Sequence, residues 1–198
     1  MSDSDRVVHA TATPQRRVEA IQAALDARGM NASALAEELD HVAQEQWVPE
    51  NGARVVARAW TDPAFRARLL ANGVAAVTEL GVPMPRHHRH LVVLENTETV
   101  QNVICCTLCS CTAFTVIGLP PDWYKDLEYR SRVVRESRTV LKEMGLELRP
   151  DVEIRVWDTT ADTRYMVLPV QPPHTVGWSE EKLAAIVTRD SLIGVARL

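Results

Sequence analysis

Every cysteine of the chain falls in one seven-residue window, at positions 105, 106, 109 and 111. A disulfide framework needs partners spread along the chain to close loops, and this sequence has none. Neighbouring thiols kept free in a reducing compartment point to metal or redox chemistry instead. The segment reads Ile104-Cys105-Cys106-Thr107-Leu108-Cys109-Ser110-Cys111-Thr112. Suppose the sulfurs of Cys109 and Cys111 grip one ion. The backbone nitrogens of Ser110 and Cys111 then point at the same ion and close small chelate rings. Once those amides lose their protons, Cys-x-Cys is a planar S–N–N–S ligand. Cys106, one turn earlier, can set a third sulfur below the plane and leave the sixth octahedral position open. Zinc prefers a tetrahedron of four ligands, usually from two separated pairs. Only one pair exists here, although His87, His88 and His90 are candidates to complete such a site. Magnesium and calcium want oxygen. A small trivalent ion with a square or octahedral preference, low-spin cobalt(III) or iron(III), gains most from this donor set. Three thiolates and two amidates on such an ion leave a net anion, which is costly to bury without nearby cations. The window supplies no arginine, so the cations must come from distant loops or another chain.

The elements that position this window are legible in outline. Residues 1–13 read as a polar tail. Pro14 opens a helix with Val18, Ile21, Ala24 and Leu25 on one face and Gly29 at its end. A second helix is expected over 32–46, with Ser33 as cap and Leu35, Leu39 and Val42 in register. Further helices are expected over 51–60, over 64–71 after a Thr61-Asp62-Pro63 cap, and over 74–80. Leu91 to Leu94 is a short apolar run, read as a buried strand, and Val103-Ile104 leads into the cysteines. The longest helix spans 128–144, with Val133, Val134, Val140 and Leu141 inward. Residues 152–157 and 164–168 alternate about a polar turn and predict an antiparallel hairpin. Ser179 caps a helix running to 188, and residues 192–196 form a last strand. The sum is an α+β chain. A helical arm (1–49) precedes a compact mixed, metal-binding catalytic domain (50–198) with antiparallel strands and packed helices.

Composition narrows the field. Hydrophobic residues make up 46% and charged residues 24%, enough apolar side chain for a core. The formal net charge of −4 argues against a nucleic-acid footprint. The one basic cluster, Arg86 to His90, is short and lacks interleaved aromatics. No run approaches the ~18 apolar residues of a membrane span, and the polar start has no signal-peptide stretch. A cytoplasmic protein is the expectation.

The run Cys106-Thr107-Leu108-Cys109-Ser110-Cys111-Thr112 resembles the metal-binding motif of nitrile hydratase α subunits. Thr107, where the iron class usually carries Ser, resembles the cobalt class. The likeness continues through Gly118-Leu119-Pro120-Pro121, Trp123-Tyr124-Lys125, Arg132 to Glu136, Glu153 to Val156, Asp158 to Ala161, Thr163 to Pro169 and Leu192 to Val195. It implies an enzyme that hydrates a small-molecule nitrile to its amide at a non-corrin cobalt(III) centre, with iron(III) the lesser alternative. By position, Cys106 is the axial thiolate, Cys109 becomes a sulfinate and Cys111 a sulfenate, and Ser110 and Cys111 give amidate nitrogens. Such oxidations suit exposed, metal-bound thiolates. The resemblance also implies a β-type subunit whose arginines bind the oxidised sulfurs, with self-association when the α chain is alone.

Cys105 stands where the family usually has Val and reads as a buried small hydrophobe. Phe114-Thr115 replaces a usual Trp-Pro pair, which changes the wall facing substrate and points to a heteroaromatic nitrile. Four further residues are candidates to surround the metal ligands: Asp158 and Arg164 on the turn after the fifth apolar segment, Thr112 at the loop exit, and His87. Two other readings stay open: a thiocyanate hydrolase γ-type subunit, which shares the motif, and a zinc-stabilised interaction module without catalysis.

Overall fold

The computed structural model describes residues 13–109 and 111–198. Ser110 and the tail reading of residues 1–12 lie outside the described residues. The chain divides into two compact units, Met1–Gln44 and Glu45–Leu198.

The first unit contains α1 (Pro14–Asp26) and α2 (Ala32–Glu45). Thr13 caps α1 by accepting from the Arg16 amide, with Pro14 in the first turn where no N–H is missed. Asn31, not Ser33, caps α2: its Oδ1 accepts from Ala34 N at 3.0 Å. The cap is the residue three before the bonded amide. Val18, Ile21, Leu35 and Leu39 are exposed, so the apolar stripes of this unit are left open.

The second unit opens with α3 (Pro49–Thr61), α4 (Pro63–Ala71) and α5 (Gly73–Glu79). Asp62 Oδ1 accepts from Ala64 N and Phe65 N at 2.9 Å each and starts α4. Asn72 Oδ1 does the same for α5 at Ala75 N. Val55, Val56, Phe65, Leu69 and Val77 bury the inner faces of these helices against Leu91 and Val93. Gly73 permits the close approach, since a Cβ there would sit 2.3 Å from the Leu91 carbonyl oxygen.

Four strands follow: β1 (His90–Glu95), β2 (Val100–Cys105), β3 (Glu153–Asp158) and β4 (Thr163–Leu168). Among the described residues they form two two-stranded sheets, β1 with β4 and β2 with β3, both parallel. The mixture of helix and strand bears out the α+β class. The expected antiparallel hairpin is corrected: β3 and β4 are adjacent in sequence, yet each pairs with an earlier strand. The polar turn does its local work, with Thr160 N donating to Thr163 O at 3.4 Å, but the strands it joins belong to different sheets. Parallel pairing needs a long crossover. Residues 106–152 provide it for β2 and β3, carrying the cysteine loop, α6 (Phe114–Ile117), α7 (Asp122–Lys125) and α8 (Leu127–Glu143).

Val133, Val140 and Leu141 of α8 face the core, whereas Val134 is 47% exposed and not inward. The helix bends at Glu136, and Arg132 spans the bend through ion pairs to Glu128, Glu136 and Glu143. The last elements are α9 (Glu180–Ala184), capped by Ser179, and α10 (Arg189–Ile193). The expected strand over 192–196 is therefore a helix end. Thr188 and Ser191 close a reciprocal capping box, and Gly194 ends the helix in the left-handed region at φ 93°. No described helix is long and apolar enough to cross a membrane.

Candidate metal centre

Strand β2 delivers the cysteines. Cys105 is its last residue and is fully buried. Burial, with the Asp158 carboxylate and Cys106 beside it, pushes its thiol up to about 12. It therefore behaves as a small core side chain. One residue later the chain leaves the strand, and Cys106, Cys109 and Cys111 converge with their sulfurs all within 4.8 Å of one another. The Cys106 and Cys109 sulfurs are 3.1 Å apart, and those of Cys109 and Cys111 are 2.8 Å apart. Cys106 is buried, Cys109 exposed and Cys111 half-buried, so the group opens toward solvent from a buried base. Leu108 between them is 91% exposed.

Four contacts from four places in the fold hold this loop. Asp158 is the register partner of Cys105 on β3, which sets its carboxylate beside the loop entry. It accepts from Thr107 N at 2.9 Å and Thr107 Oγ1 at 2.5 Å. Arg130 of α8 donates to the Cys109 carbonyl at 2.8 Å. Tyr124 of α7 donates to the Cys111 carbonyl at 3.2 Å. Thr112 donates to the Gly118 carbonyl at 3.2 Å and closes the exit. Burial raises the Tyr124 phenol far above its usual range, so it stays a donor.

The electrostatics separate Cys106 from Cys111. Burial opposes ionisation of Cys106. The Thr159 hydroxyl, the Cys109 thiol and the N–H groups of Cys111 and Cys109 outweigh it and bring Cys106 down to about 7. Burial and the neighbouring Cys109 push Cys111 up to about 11, against the opposing charge of Arg164. A thiolate at the base, two further sulfurs above it and peptide N–H groups facing that base suit a thiophilic transition metal. They do not suit magnesium or calcium. Among the described residues no histidine joins the group, so a four-ligand zinc site lacks its fourth protein donor.

Of the other candidates, Arg164 is 5% exposed on β4, donates to the Thr160 and Thr163 carbonyls, and leaves its buried Nε unpartnered. His87 is exposed and stands edge-on to His88 at 4.3 Å. The structure does not bring His87 to the sulfurs. The buried neighbour is His88, lowered to about 4 by burial and by the charges of Arg164 and His87. Sequence reasoning considered His88 only as a zinc ligand and gave Tyr124 and Arg130 no part in holding the loop. A buried tyrosine must place its hydroxyl on a partner, which was a usable signal for Tyr124. Arg130 acts across 21 residues and gave none.

Comparison with known proteins agrees with this geometry. The family "Nitrile hydratase, alpha chain" matches residues 12–196. The low-molecular weight cobalt-containing nitrile hydratase subunit alpha of Rhodococcus rhodochrous is 48% identical over 180 residues, 91% of this chain and 86% of that one. A double mutant of the Fe-type nitrile hydratase from Comamonas testosteroni Ni1 superposes with a TM-score of 0.89 at 55% identity, covering 93% of this chain and 89% of that one. The thiocyanate hydrolase subunit gamma of Thiobacillus thioparus is 44% identical over 158 residues, 75% of this chain but 65% of its own length, so that alternative is not favoured. The chain belongs to the nitrile hydratase α-chain family.

Proposed function

We propose that this chain is the metal-bearing subunit of a cobalt(III) nitrile hydratase, adding water across a C≡N bond to give the amide. The observation that carries the reading is the convergence of three sulfurs from one window onto one point, open on one side. Cys106, Cys109 and Cys111 would hold the ion by sulfur, with the Ser110 and Cys111 peptide nitrogens as its further donors. Thr107 and the cobalt-containing relatives favour cobalt over the iron of the Comamonas neighbour. The bound ion supplies Lewis acidity toward a nitrile nitrogen.

The chain's own residues do the rest. Cys106 offers its sulfur from the buried side, which leaves the opposite face for substrate. Cys109 and Cys111, nearer solvent, are the sulfurs open to oxidation, to a sulfinate and a sulfenate respectively. Asp158 and Thr112 hold the two ends of the loop, and Arg164 brings positive charge to the Cys111 side. Further positive charge comes from arginines of a β-type partner. The open stripes of the 1–49 arm and the exposed Leu108, Leu127 and Val134 are apolar surface for that partner to cover. Alone, the chain self-associates through the same surface. The setting is the cytoplasm, where thiols stay reduced until metal arrives.

The test is co-production with the partner subunit in cobalt-supplemented medium. One cobalt per chain by X-ray absorption, mass additions of one and two oxygens on the cysteine peptide, and amide without acid from an aromatic nitrile are expected. Stoichiometric zinc on an unoxidised peptide, or turnover of thiocyanate alone, refutes the reading.

A further inference from the structure

We infer that Arg130 is a positioning residue of the claw. By pinning the Cys109 carbonyl it fixes the main chain from which the Cys109 sulfur is presented, and so governs capture of the ion. The inference rests on the reading of the claw as a cobalt site.

A peptide unit is planar and trans, so its carbonyl and its N–H point in opposite directions. The carbonyl of Cys109 lies in one such plane. Arg130 reaches from α8 and holds that oxygen at 2.8 Å. Rotation of the plane is thereby tied to a helix anchored in the core through Val133, Val140 and Leu141. Fixing the oxygen on the helix side fixes the Cys109 end of that unit, and with it the base of the Cys109 side chain. The rest of the loop sorts its main chain the same way. Tyr124 takes the Cys111 oxygen on the helix side at 3.2 Å. The Cys109 N–H faces the Cys106 sulfur at 3.4 Å. These two oxygens go to the helices, and the Cys109 N–H goes to a sulfur.

The charge on Arg130 is otherwise uncommitted. Two residues along, Arg132 spends its guanidinium on three glutamates. Among the described residues Arg130 makes no ion pair, and its buried Nε has no partner. A guanidinium is a rigid planar donor, and its hydrogen bonds are stronger than those of a neutral group. A cation outside any ion pair among the described residues, set on a ligand's own peptide, is what an anionic metal site requires of its surroundings.

The experiment compares wild type, Arg130→Met, Arg130→Lys and Arg130→Gln in the complex with the partner subunit, made in cobalt medium. Arg135→Met, an exposed arginine on the same helix that donates to Ser131 O, is the control. The readouts are cobalt per chain, the energy of the sulfur-to-cobalt charge-transfer absorption, the rate of cobalt loss to a chelator, and the thermal midpoint. Expected for Arg130→Met is at least a fivefold fall in cobalt, or full loading with a displaced absorption band and at least fivefold faster loss. Arg130→Lys recovers part of this, and Arg135→Met matches wild type. An Arg130→Met complex with wild-type loading, band and release rate overturns the inference. So does a change confined to the thermal midpoint, which marks a purely structural tie. Should Arg130→Met not fold, the same criteria are applied to Arg130→Gln. Wild type that binds no cobalt overturns the functional reading itself, whereas a loaded wild type beside indistinguishable variants sinks only this one.

Discussion

Removing the Asp158 carboxylate isolates the latch at the loop entry. Its two oxygens accept from Thr107 N and Thr107 Oγ1 at 2.9 and 2.5 Å. A hydrogen bond to a charged acceptor contributes about 1.5–3 kcal/mol when shielded. Asp158 is exposed, so solvent competes, and about 1 kcal/mol for each bond is the appropriate scale. Asp158→Ala therefore disfavours the latched loop by about 2 kcal/mol, roughly a 30-fold shift between ordered and released forms. Because metal binds only the ordered form, apparent cobalt affinity falls by up to the same factor, in full where the metal-free loop is mostly released. Asp158→Asn keeps one acceptor and should cost about 1 kcal/mol, roughly fivefold. Competition against a chromophoric chelator measures the affinity, and the thermal midpoint falls by no more than about 4–8 °C for Asp158→Ala at this chain length. An alanine variant whose cobalt affinity stays within twofold of wild type would refute the reasoning, because the latch would then be idle.

Other outcomes follow from the packing and charges around the claw. Cys105→Val replaces a fully buried thiol by an apolar side chain of similar size, so the midpoint of urea unfolding moves by less than the equivalent of ~1.5 kcal/mol and cobalt content is unchanged; loss of cobalt would make Cys105 a ligand. His88 titrates near 4 when folded, below its ordinary 6.5, so the unfolded chain binds the proton more readily. Its contribution to stability is full above about 6.5 and is lost as pH falls toward 4, with a slope approaching one proton that His88→Gln removes in urea titrations across that window. Gly194→Ala sets a Cβ 2.0 Å from the Asn102 carbonyl oxygen at a φ of 93°, so it should destabilise by more than ~2 kcal/mol, read as a lower unfolding midpoint.

The helices were legible because their signals are local. Pro14, Asp62 and Ser179 each mark a start, and each does its work within three residues. Strand positions were legible too, since β3 alternates side to side and β1 is a bounded apolar run. Pairing was not. The Asp158–Asp162 turn carries the residue types of a hairpin, and no feature inside it says that β4 lies beside β1, some 70 residues earlier by the register of Leu91 with Arg164. That choice is made by the crossover helices and the core they bury. The final segment shows the opposite error: Leu192 and Ile193 suggest a strand by side-chain type, but the Thr188–Ser191 capping box commits the backbone to a helical turn first.

The metal centre divides along the same line. A donor set written within seven residues can be read from covalent chemistry alone, because chelation by Cys-x-Cys needs no knowledge of the fold. What holds the donors comes from elsewhere in the chain: Asp158 from β3, Arg130 from α8, Tyr124 from α7. Each of these is an ordinary residue of its own element, with a local explanation in turn chemistry, helix surface or aromatic packing. Only the parallel register of β2 with β3 turns Asp158 toward Thr107, and only the return of α8 over the loop brings Arg130 to Cys109. The ligands belong to the sequence motif and their orientation belongs to the fold. Substitutions among these holding residues should therefore change how readily the ion enters and leaves, while the identity of the donors stays the same.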